Sequence, residues 1–377
     1  MKVLVLGCGE MGASAIEDLY KHGKFKDLTI ATRSIKKVKK LLPKLKGRQI
    51  NVSIHQIDIE DRKKLVSLMH SYDVAINCVG PNYKYEVKIA EAAIEAKVNL
   101  IDINDDYETT YKMLELDDRA KDAGIIIVMG LGASPGINNV FAKAASDQLD
   151  TVDEIHTAWV MSGADSGGLA LSYHLLYSLS GKALTYQNKK MIEVESFVDG
   201  KERKEFLEPI GPMDVFHVGH PEPITLSRVF KTAKIVDDKA TFHPPFINDL
   251  IRNLGKMVRD SSGPIRVKGN LIDHMDFAAA YFYKICKSLK KIPKEGALRV
   301  DVKGWRNGEC KIITYTSSGM ITSGTGTPAS IGAQMFIDGY IKGKGVLAPE
   351  ECVHWQEFIK TMVSREIGRL DIKMRDA

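Results

Sequence analysis

The first third of the chain alternates short apolar runs with stretches of helical periodicity. The apolar runs are rich in β-branched residues, which is typical of strands buried on both faces. Between most of them, apolar residues recur at helical spacing, as with Val87, Ala90 and Ile94. This alternation predicts an α/β fold with a doubly wound parallel sheet, which binds ligands at the carboxyl ends of its strands. The six predicted strands are Val3–Gly7, Leu28–Thr32, Val52–Ile59, Asp73–Gly80, Asn99–Asn104 and Gly124–Gly130.

The middle of the chain, from about Val140 to Thr322, has a different pattern. Its strand-like segments predict a more antiparallel sheet covered by helices, and therefore a second domain of α+β type. Asn307-Gly308 predicts a hairpin, because this pair readily adopts the positive φ values of a tight turn. The Gly/Thr-rich segment "SSGMITSGTGTP", which ends at Pro328, is expected to be a loop that leads into a helix. Thr327 is the expected N-cap of this helix, and Pro328 its first residue.

Composition narrows the possible partners and the compartment. The chain has 377 residues, 44% of them hydrophobic, which is enough for two domains with separate cores. A net charge of +5 without a basic run argues against a nucleic-acid partner. The five scattered cysteines are typical of reduced thiols. Without a signal-peptide pattern or an apolar run long enough to span a bilayer, we expect a cytoplasmic protein with no membrane partner.

A glycine motif directly follows the first predicted strand. Gly7, Gly9 and Gly12 have the spacing G-x-G-x-x-G. In dinucleotide-binding folds the first glycine permits a tight turn, the second lets the pyrophosphate approach the backbone, and the third lets helix and strand pack closely. Free N–H groups at the helix start then bind the phosphates. The position inside an α/β pattern favours this function over a simple turn, and it makes Glu10 and Met11 part of the predicted coenzyme site.

The end of the second predicted strand bears on the choice of coenzyme. NAD-binding chains usually carry an acid there that binds the ribose, and this acid would repel the 2′-phosphate of NADP. Here Thr32, Arg33 and Ser34 occupy the position, and the next acid is Asp58, after the third strand. A guanidinium can bind phosphate with two parallel hydrogen bonds, and hydroxyl groups can add others. We therefore predict NADP, with NAD as a possible alternative; the competing explanation is a solvated basic helix start.

The fourth predicted strand ends where the nicotinamide half of the coenzyme is expected to pass. Cys78 could suggest a nucleophile, but no histidine or cation is evidently paired with it, so packing is the better interpretation. The predicted coenzyme-binding residues at this strand end are Asn77, Cys78, Val79, Gly80 and Pro81.

With these motifs, the chain resembles the saccharopine dehydrogenase/reductase family, which includes lysine 6-dehydrogenases and carboxynorspermidine synthases. The resemblance extends over nearly the whole chain. Its most specific elements are "MGLGASPGINNV" and "TGTPASIGAQMFIDGYIKGKGVLAPEE", and "IATRS" and "VAINCVGP" support it. Two departures concern the substrate. An Asp that reductases carry before Pro-Gly is absent here, and Tyr177-Ser178 stands in place of Trp-Ser.

The resemblance implies a Rossmann domain (1–138 with 325–377) interrupted by an α+β substrate and dimerisation domain (139–324). It also implies hydride transfer between an amine and an imine, and a homodimer. Because "IATRS" is most similar to the NADP-using reductases, we predict an NADP-dependent oxidoreductase acting on the C–N bond of an amino-acid adduct. The specific prediction is glutamate-forming saccharopine dehydrogenase in lysine metabolism. The alternatives are a lysine 6-dehydrogenase and a dinucleotide-binding protein without catalysis.

Amine–imine chemistry requires a group that takes a proton from the amine. Asp102, at the end of the fifth predicted strand, is the first candidate. Asn104, with Asp105 and Asp106, could bind a substrate ammonium, although capping of a helix explains the last two as well. Further catalytic candidates are Tyr173 and His174, expected in a Gly-rich loop, and further substrate-binding candidates are Asn138, Asn139, Arg228 and Arg299.

Three histidines raise the question of a metal. His217, His220 and His243 lie in strand-like or loop segments, where their spacing points the rings apart. No cysteine or glutamate evidently completes a ligand set with them. We therefore predict no metal site.

Overall fold

The computed structural model describes residues 1–165 and 167–377, which form two compact units. The first unit contains Met1–Val140 and Thr322–Ile367, and the second contains Phe141–Ile321 and Gly368–Ala377. The end of the chain differs from the predicted division, which placed it in the first domain. The reason is that its backbone pairs with a strand of the second unit.

The elements alternate in the first third of the chain and change order afterwards. The strands are β1 (Lys2–Leu6), β2 (Asp27–Thr32), β3 (Asn51–Gln56), β4 (Val74–Asn77), β5 (Asn99–Asp102), β6 (Ile126–Val128), β7 (Thr151–Ser162), β8 (Lys182–Gln187), β9 (Lys190–Glu195), β10 (Glu202–Glu205), β11 (Pro212–His217), β12 (Ile235–His243), β13 (Ile265–Val267), β14 (Asn270–Ile272), β15 (Glu295–Arg306), β16 (Glu309–Met320), β17 (Gly345–Leu347) and β18 (Arg369–Asp376). The helices are α1 (Glu10–His22), α2 (Ile35–Leu41), α3 (Arg62–Met69), α4 (Asn82–Ala96), α5 (Tyr107–Leu114), α6 (Asp117–Ala123), α7 (Ile137–Ser146), α8 (Leu169–Ser178), α9 (Glu222–Val229), α10 (Phe246–Asp260), α11 (His274–Ser288), α12 (Ile321–Ile337), α13 (Pro349–Cys352) and α14 (Trp355–Ser364), with a 3₁₀ turn at Leu42–Lys44. Within the described residues, no helix is long and apolar enough to cross a membrane.

Seven parallel strands form the sheet of the first unit, in the order β17-β6-β5-β4-β1-β2-β3. The order reverses between β1 and β4, which is the point where an open α/β sheet binds its ligand. Strand residues such as Leu4, Leu6 and Ala75 are fully buried, as expected for a sheet with helices on both faces. The predicted doubly wound fold is confirmed. The seventh strand, β17, was not predicted, because its three residues lie outside the alternating first third of the chain and pair with the distant β6.

The second unit has a mixed sheet. Its strands follow the order β10-β11-β12-β7-β15-β16-β18, and β8 joins β12 to β9. The predicted hairpin connects β15 to β16, where Asn307 and Gly308 have φ values of 52° and 78°. The prediction of an α+β domain inserted in a Rossmann domain is confirmed.

One predicted loop is a helix. The Gly/Thr-rich segment before Pro328 belongs to α12, which begins at Ile321, so Thr327 is not an N-cap. Close packing explains these glycines, since a Cβ on Gly326 would lie 2.3 Å from the carbonyl oxygen of Met11. Small residues here let α12 pack directly against α1, and this packing outweighs their low helix propensity.

Candidate active site

The glycine loop between β1 and α1 is shaped by its own backbone. Gly7 has a φ of +91°, and a Cβ on it would lie 2.7 Å from the carbonyl oxygen of Cys78. A Cβ on Gly12 would lie 2.2 Å from the carbonyl oxygen of Gly7. Both positions therefore need glycine for the turn and for the packing of α1 against β1.

Gly9 differs, because nothing lies within 4 Å of the place where its Cβ would be. It is the N-cap of α1 and has no side chain to accept a hydrogen bond from the first helical turn. The N–H groups of that turn, which includes Glu10, Met11 and Gly12, are thus available to an anion, and the space above Gly9 can admit it. These residues fit the pyrophosphate of a nicotinamide coenzyme.

Substituting Gly9 tests this open space. Its φ of −75° and ψ of −167° suit any residue, so Gly9→Ala should fold with an unchanged melting temperature. The added methyl group should occupy the phosphate position and weaken NADPH binding about tenfold, the loss of roughly one charge-assisted hydrogen bond. Gly12→Ala should instead lower the melting temperature, because its Cβ meets backbone. NADPH fluorescence titration and thermal unfolding measure the two effects; an unchanged Kd in Gly9→Ala contradicts the assignment.

An exposed arginine, Arg33, directly follows β2. Thr32 is buried, and its Oγ1 accepts a hydrogen bond from the N–H of Ser34 at 3.3 Å. Arg33 is exposed, and among the described residues its guanidinium makes no hydrogen bond or ion pair. Asp58 is also exposed, after β3, where its Oδ1 accepts from the N–H of Glu60 at 3.1 Å. Arg33 is therefore available to a phosphate group.

A side-chain hydrogen bond connects the end of β4 to the end of β5. The side chain of Asn77 is buried, and its Nδ2 donates to Oδ2 of Asp102 at 2.7 Å. Its Oδ1 accepts from the N–H of Val79 at 3.0 Å, which shapes the backbone leading to Gly80 and Pro81. Burial raises the pKa of the Cys78 thiol, and the nearby Asp102 raises it further. A protonated thiol is a poor nucleophile, so the packing interpretation of Cys78 agrees with its surroundings.

Asp102 lies deeper than a group that contacts substrate is expected to lie. It is 1% exposed, and its Oδ1 accepts from the N–H of Asn104 at 2.5 Å. Burial raises its pKa to about 6, although the hydrogen bonds from Asn77 and Asn104 act in the opposite direction. Its predicted role as the proton acceptor stays a prediction, and the enclosed position favours an indirect role.

Glu86 is a residue that the sequence analysis did not single out. It lies on α4, is fully buried, and has a pKa well above the ordinary value because of burial and the neighbouring Asp102. A signal for it exists in the sequence. Glu86 precedes the buried Ile89, Ala90 and Ala93 at helical spacing, and an acid on an apolar helix face is rarely buried without a partner.

The segment after β5 forms a tight polar turn. Oδ1 of Asn104 accepts from the N–H of Asp106 at 3.0 Å, and Asp106 is the N-cap residue of α5. Asn82, at the start of α4, donates to Oδ1 of Asp105 at 2.9 Å. Asn104 thus helps to build the turn, and its binding of substrate stays a prediction.

Asn138 and Asn139 are fully buried on α7. Asn138 donates to the hydroxyl of Ser134 at 3.0 Å, and Oδ1 of Asn139 accepts from the N–H of Gly136 at 2.9 Å. Nδ2 of Asn139 also donates to Oε2 of Glu350 at 2.9 Å. This bond joins the two most specific sequence elements inside the first unit. These hydrogen bonds stabilise the turn before α7, and substrate binding by the two asparagines stays a prediction.

Tyr173 and His174 lie on a helix, so the expectation of a loop is wrong. The apolar spacing after Gly168 forms α8, whose N-cap is Gly168 itself. The hydroxyl of Tyr173 donates to the carboxylate of Asp276 on α11. His174 is 4% exposed, with Nε2 3.2 Å from the hydroxyl of Ser178. These contacts hold α8 in the second unit, and a catalytic role for either residue stays a prediction.

The two predicted substrate-binding arginines have different surroundings. Arg228 is exposed in the last turn of α9. Arg299 lies on β15 and donates to both oxygens of Asp301 at 2.8 and 2.7 Å. The two residues are two positions apart on a strand and so face the same side of the sheet. The guanidinium of Arg299 also donates to the carbonyl oxygen of Glu205. Its positive charge is neutralised by the carboxylate of Asp301.

His220 has carboxylate neighbours that the sequence analysis did not foresee. Its Nδ1 lies 3.6 Å from Oε2 of Glu222 and 3.6 Å from Oδ2 of Asp238, so the argument that no acid completes a set with these histidines is wrong. Thr157 and Trp159 donate to the oxygens of Asp238 at 2.6 and 3.1 Å. Burial and Glu222 raise the pKa of Asp238 well above its ordinary value. The second unit thus contains a buried polar network at β12.

Comparison with known proteins identifies the family. Residues 3–128 match the saccharopine dehydrogenase NADP binding domain, and residues 132–367 match the saccharopine dehydrogenase C-terminal domain. The chain belongs to the saccharopine dehydrogenase family. The resemblance inferred from the sequence motifs is therefore confirmed, and this family member is an NAD(P)-dependent oxidoreductase with a nicotinamide dinucleotide-binding domain.

The relatives that match nearly the whole chain are named for polyamine compounds, whereas a relative that matches only part of it is named for saccharopine. Carboxynorspermidine synthase of Vibrio cholerae is 24% identical and covers 98% of this chain and 96% of its own. Carboxyaminopropylagmatine dehydrogenase of Synechocystis is 23% identical and covers 93% and 92%. The NADP-dependent, glutamate-forming saccharopine dehydrogenase of Pyricularia oryzae is 29% identical over 41% of this chain and 31% of its own. In fold, the glutamate-forming saccharopine dehydrogenase of Saccharomyces cerevisiae is similar, with a TM-score of 0.69, 16% identity and 99% coverage of both chains.

Proposed function

We propose that this protein is an NADP-dependent oxidoreductase that forms or cleaves the C–N bond of a secondary amine, in which an amino-acid portion is joined to a polyamine. The observation that carries the proposal is the similarity over nearly the full length to relatives named for a carboxylated polyamine. The reaction class is the one predicted from the sequence motifs. The substrate differs from the sequence-based prediction of saccharopine.

The charges of the candidate residues support this choice of substrate. Saccharopine has three carboxylates and requires several free cations. Arg299 is neutralised by Asp301, and Arg228 is an exposed residue at the end of a helix. A polyamine adduct carries ammonium groups instead, and Asp105 and Asp106 after β5 supply negative charge for them. Saccharopine is the second candidate, favoured by the partial relative at 29% identity.

NADP is the proposed coenzyme because of Arg33. Its guanidinium is exposed at the end of β2 and makes no ion pair within the described parts of the chain. The name of the matching domain supports the same coenzyme.

A nicotinamide coenzyme bound here would supply hydride-transfer chemistry at the carbon of the C–N bond. The N–H groups of the first turn of α1 would hold the pyrophosphate, and Arg33 would hold the 2′-phosphate. Asn77 and the backbone after β4 position the nicotinamide half. Asp102 holds Asn77 in place by accepting a hydrogen bond from its Nδ2.

A coenzyme assay with a panel of amines tests the proposal. NADPH formation is followed with carboxynorspermidine, saccharopine and free lysine, each with NADP and with NAD. The expected result is the highest kcat/KM for carboxynorspermidine with NADP. Turnover of saccharopine alone would support the second candidate, and turnover of lysine with NAD would support a lysine 6-dehydrogenase. Tight NADPH binding without oxidation of any amine contradicts the proposal.

A further inference from the structure

The carboxyl group of Glu86 is sealed inside the first unit. The residue is fully buried on α4, and no described residue donates a hydrogen bond to either of its oxygens. An ionised carboxylate at this position would lose its hydration without any replacement. The geometry therefore requires that Glu86 be a neutral acid.

The acceptor available to the proton of Glu86 is Asp102, the neighbouring carboxylate that, after burial, raises the pKa of Glu86 most, so a protonated Glu86 can donate a hydrogen bond to it. Two ionised carboxylates are acceptors only, so this bond exists only when the pair holds a proton. Asp102 already accepts from Nδ2 of Asn77 and from the N–H of Asn104, at 2.7 and 2.5 Å. These two donors favour the ionised form of Asp102, and they leave the proton on Glu86.

The charged groups that face the pair all disfavour a second negative charge. Asp105 and Asp106, in the turn between β5 and α5, raise the pKa of Glu86 in addition to burial and Asp102. The thiol of Cys78 also neighbours Asp102, and burial holds the pKa of this thiol above its ordinary value, so it supplies no positive charge. No cation is among the groups that shift the pKa of Glu86 within the described chain. One proton is thus held by the pair until the pH is well above the range in which glutamate ordinarily titrates.

We propose that Glu86 is a positioning residue for the reaction, which as a neutral acid donates a hydrogen bond to Asp102 and thereby fixes the ends of β4 and β5. Asp102, held by Glu86, in turn fixes Asn77 and the backbone of Asn104, from which it accepts hydrogen bonds. Asn77 then fixes Val79, because its Oδ1 accepts from the Val79 N–H. The role rests on the proposed function, which assigns these two strand ends to the nicotinamide and the amine. Loss of the proton at alkaline pH puts two charges in a sealed space and releases both strand ends.

Two variants and a control separate this role from simple packing. Glu86→Gln keeps a neutral hydrogen-bond donor at every pH, and Glu86→Leu removes the donor. Glu95→Gln is the matched control, because Glu95 lies on the same helix with 53% of its side chain exposed. Each protein is examined by infrared spectroscopy for the C=O stretch of a protonated carboxylic acid. NADPH binding is followed by fluorescence, and kcat/KM is measured with carboxynorspermidine, both as functions of pH.

Besides any band from the buried Asp238 of the second unit, the wild type should show at neutral pH a protonated carboxylic acid band that is absent from the difference spectrum of Glu86→Gln and present in Glu95→Gln. Its NADPH affinity and kcat/KM should fall on the alkaline side, and Glu86→Gln should remove this fall. Glu86→Leu should lower kcat/KM about tenfold or more at neutral pH, as displaced reacting groups do.

Absence of the infrared band overturns the proposal, and so does an alkaline fall that is identical in wild type and Glu86→Gln. Wild-type kcat/KM in Glu86→Leu overturns it as well. If Glu86→Leu does not fold, the Gln variant and the infrared band decide. Both the band and NADPH binding are measured without an amine, so a wrong substrate assignment does not affect them.

Discussion

Replacing Arg33 with alanine is expected to weaken NADPH binding and leave NADH binding almost unchanged. Hydrogen bonds to charged groups contribute about 1.5–3 kcal/mol, which corresponds to a Kd for NADPH about 10–100 times larger. The effect should be large because the exposed Arg33 makes no ion pair within the described chain, so its charge is available to the 2′-phosphate. Fluorescence titration of the purified protein with each coenzyme measures both constants.

Lys39→Ala is the matched control for Arg33→Ala. Lys39 is also exposed and lies in the last turn of the neighbouring helix α2, so its removal changes the net charge equally without removing a phosphate contact. The control should bind NADPH like the wild type. Arg33→Asp should go further and repel the 2′-phosphate. If the wild type binds NADH as tightly as NADPH, and Arg33→Ala changes neither constant, the assignment of NADP is wrong.

Replacing Arg365 with methionine is expected to lower the free energy of unfolding of the first unit by about 3 kcal/mol, the usual cost of removing one partner of a buried ion pair. The guanidinium, after α14, donates to Oδ2 of Asp18 on α1, and the two side chains are 7% and 10% exposed. Ser330 donates to the same oxygen at 2.5 Å. Methionine fills much of the volume but leaves the Asp18 carboxylate buried without its cation. Denaturant unfolding measures the change.

Two further variants test this explanation of the Arg365 effect. Lys360→Met, on α14, removes a cation whose side chain is 75% exposed, so the midpoint of unfolding should not change. The double variant Asp18→Asn, Arg365→Met should be less destabilised than the sum of the two single variants, because no charge is then left unpaired. Additive effects in this cycle would show that the pair is not coupled and that Arg365 acts through packing alone.

The first unit was largely predictable from local patterns. Its first six strands overlap the runs predicted from the sequence, and the glycine spacing at Gly7, Gly9 and Gly12 follows from constraints within a few residues of the turn. Arg33 could be proposed as a phosphate-binding residue because a side chain at the end of β2 is expected to lie near the adenosine ribose of the coenzyme. The hairpin at Asn307-Gly308 likewise depends only on the φ values that those two residues tolerate.

The sequence by itself thus determined the fold class and the family, and it was enough to propose the phosphate-binding end of the site, because each depends on interactions between residues close in the chain. Only the tertiary structure decided which charges are neutralised. Glu86 neighbours Asp102, and Asp301 forms an ion pair with Arg299. His220 lies between Glu222 and Asp238. Burial and the packing of distant elements set the protonation and availability of such groups, and no periodicity in the sequence records that packing.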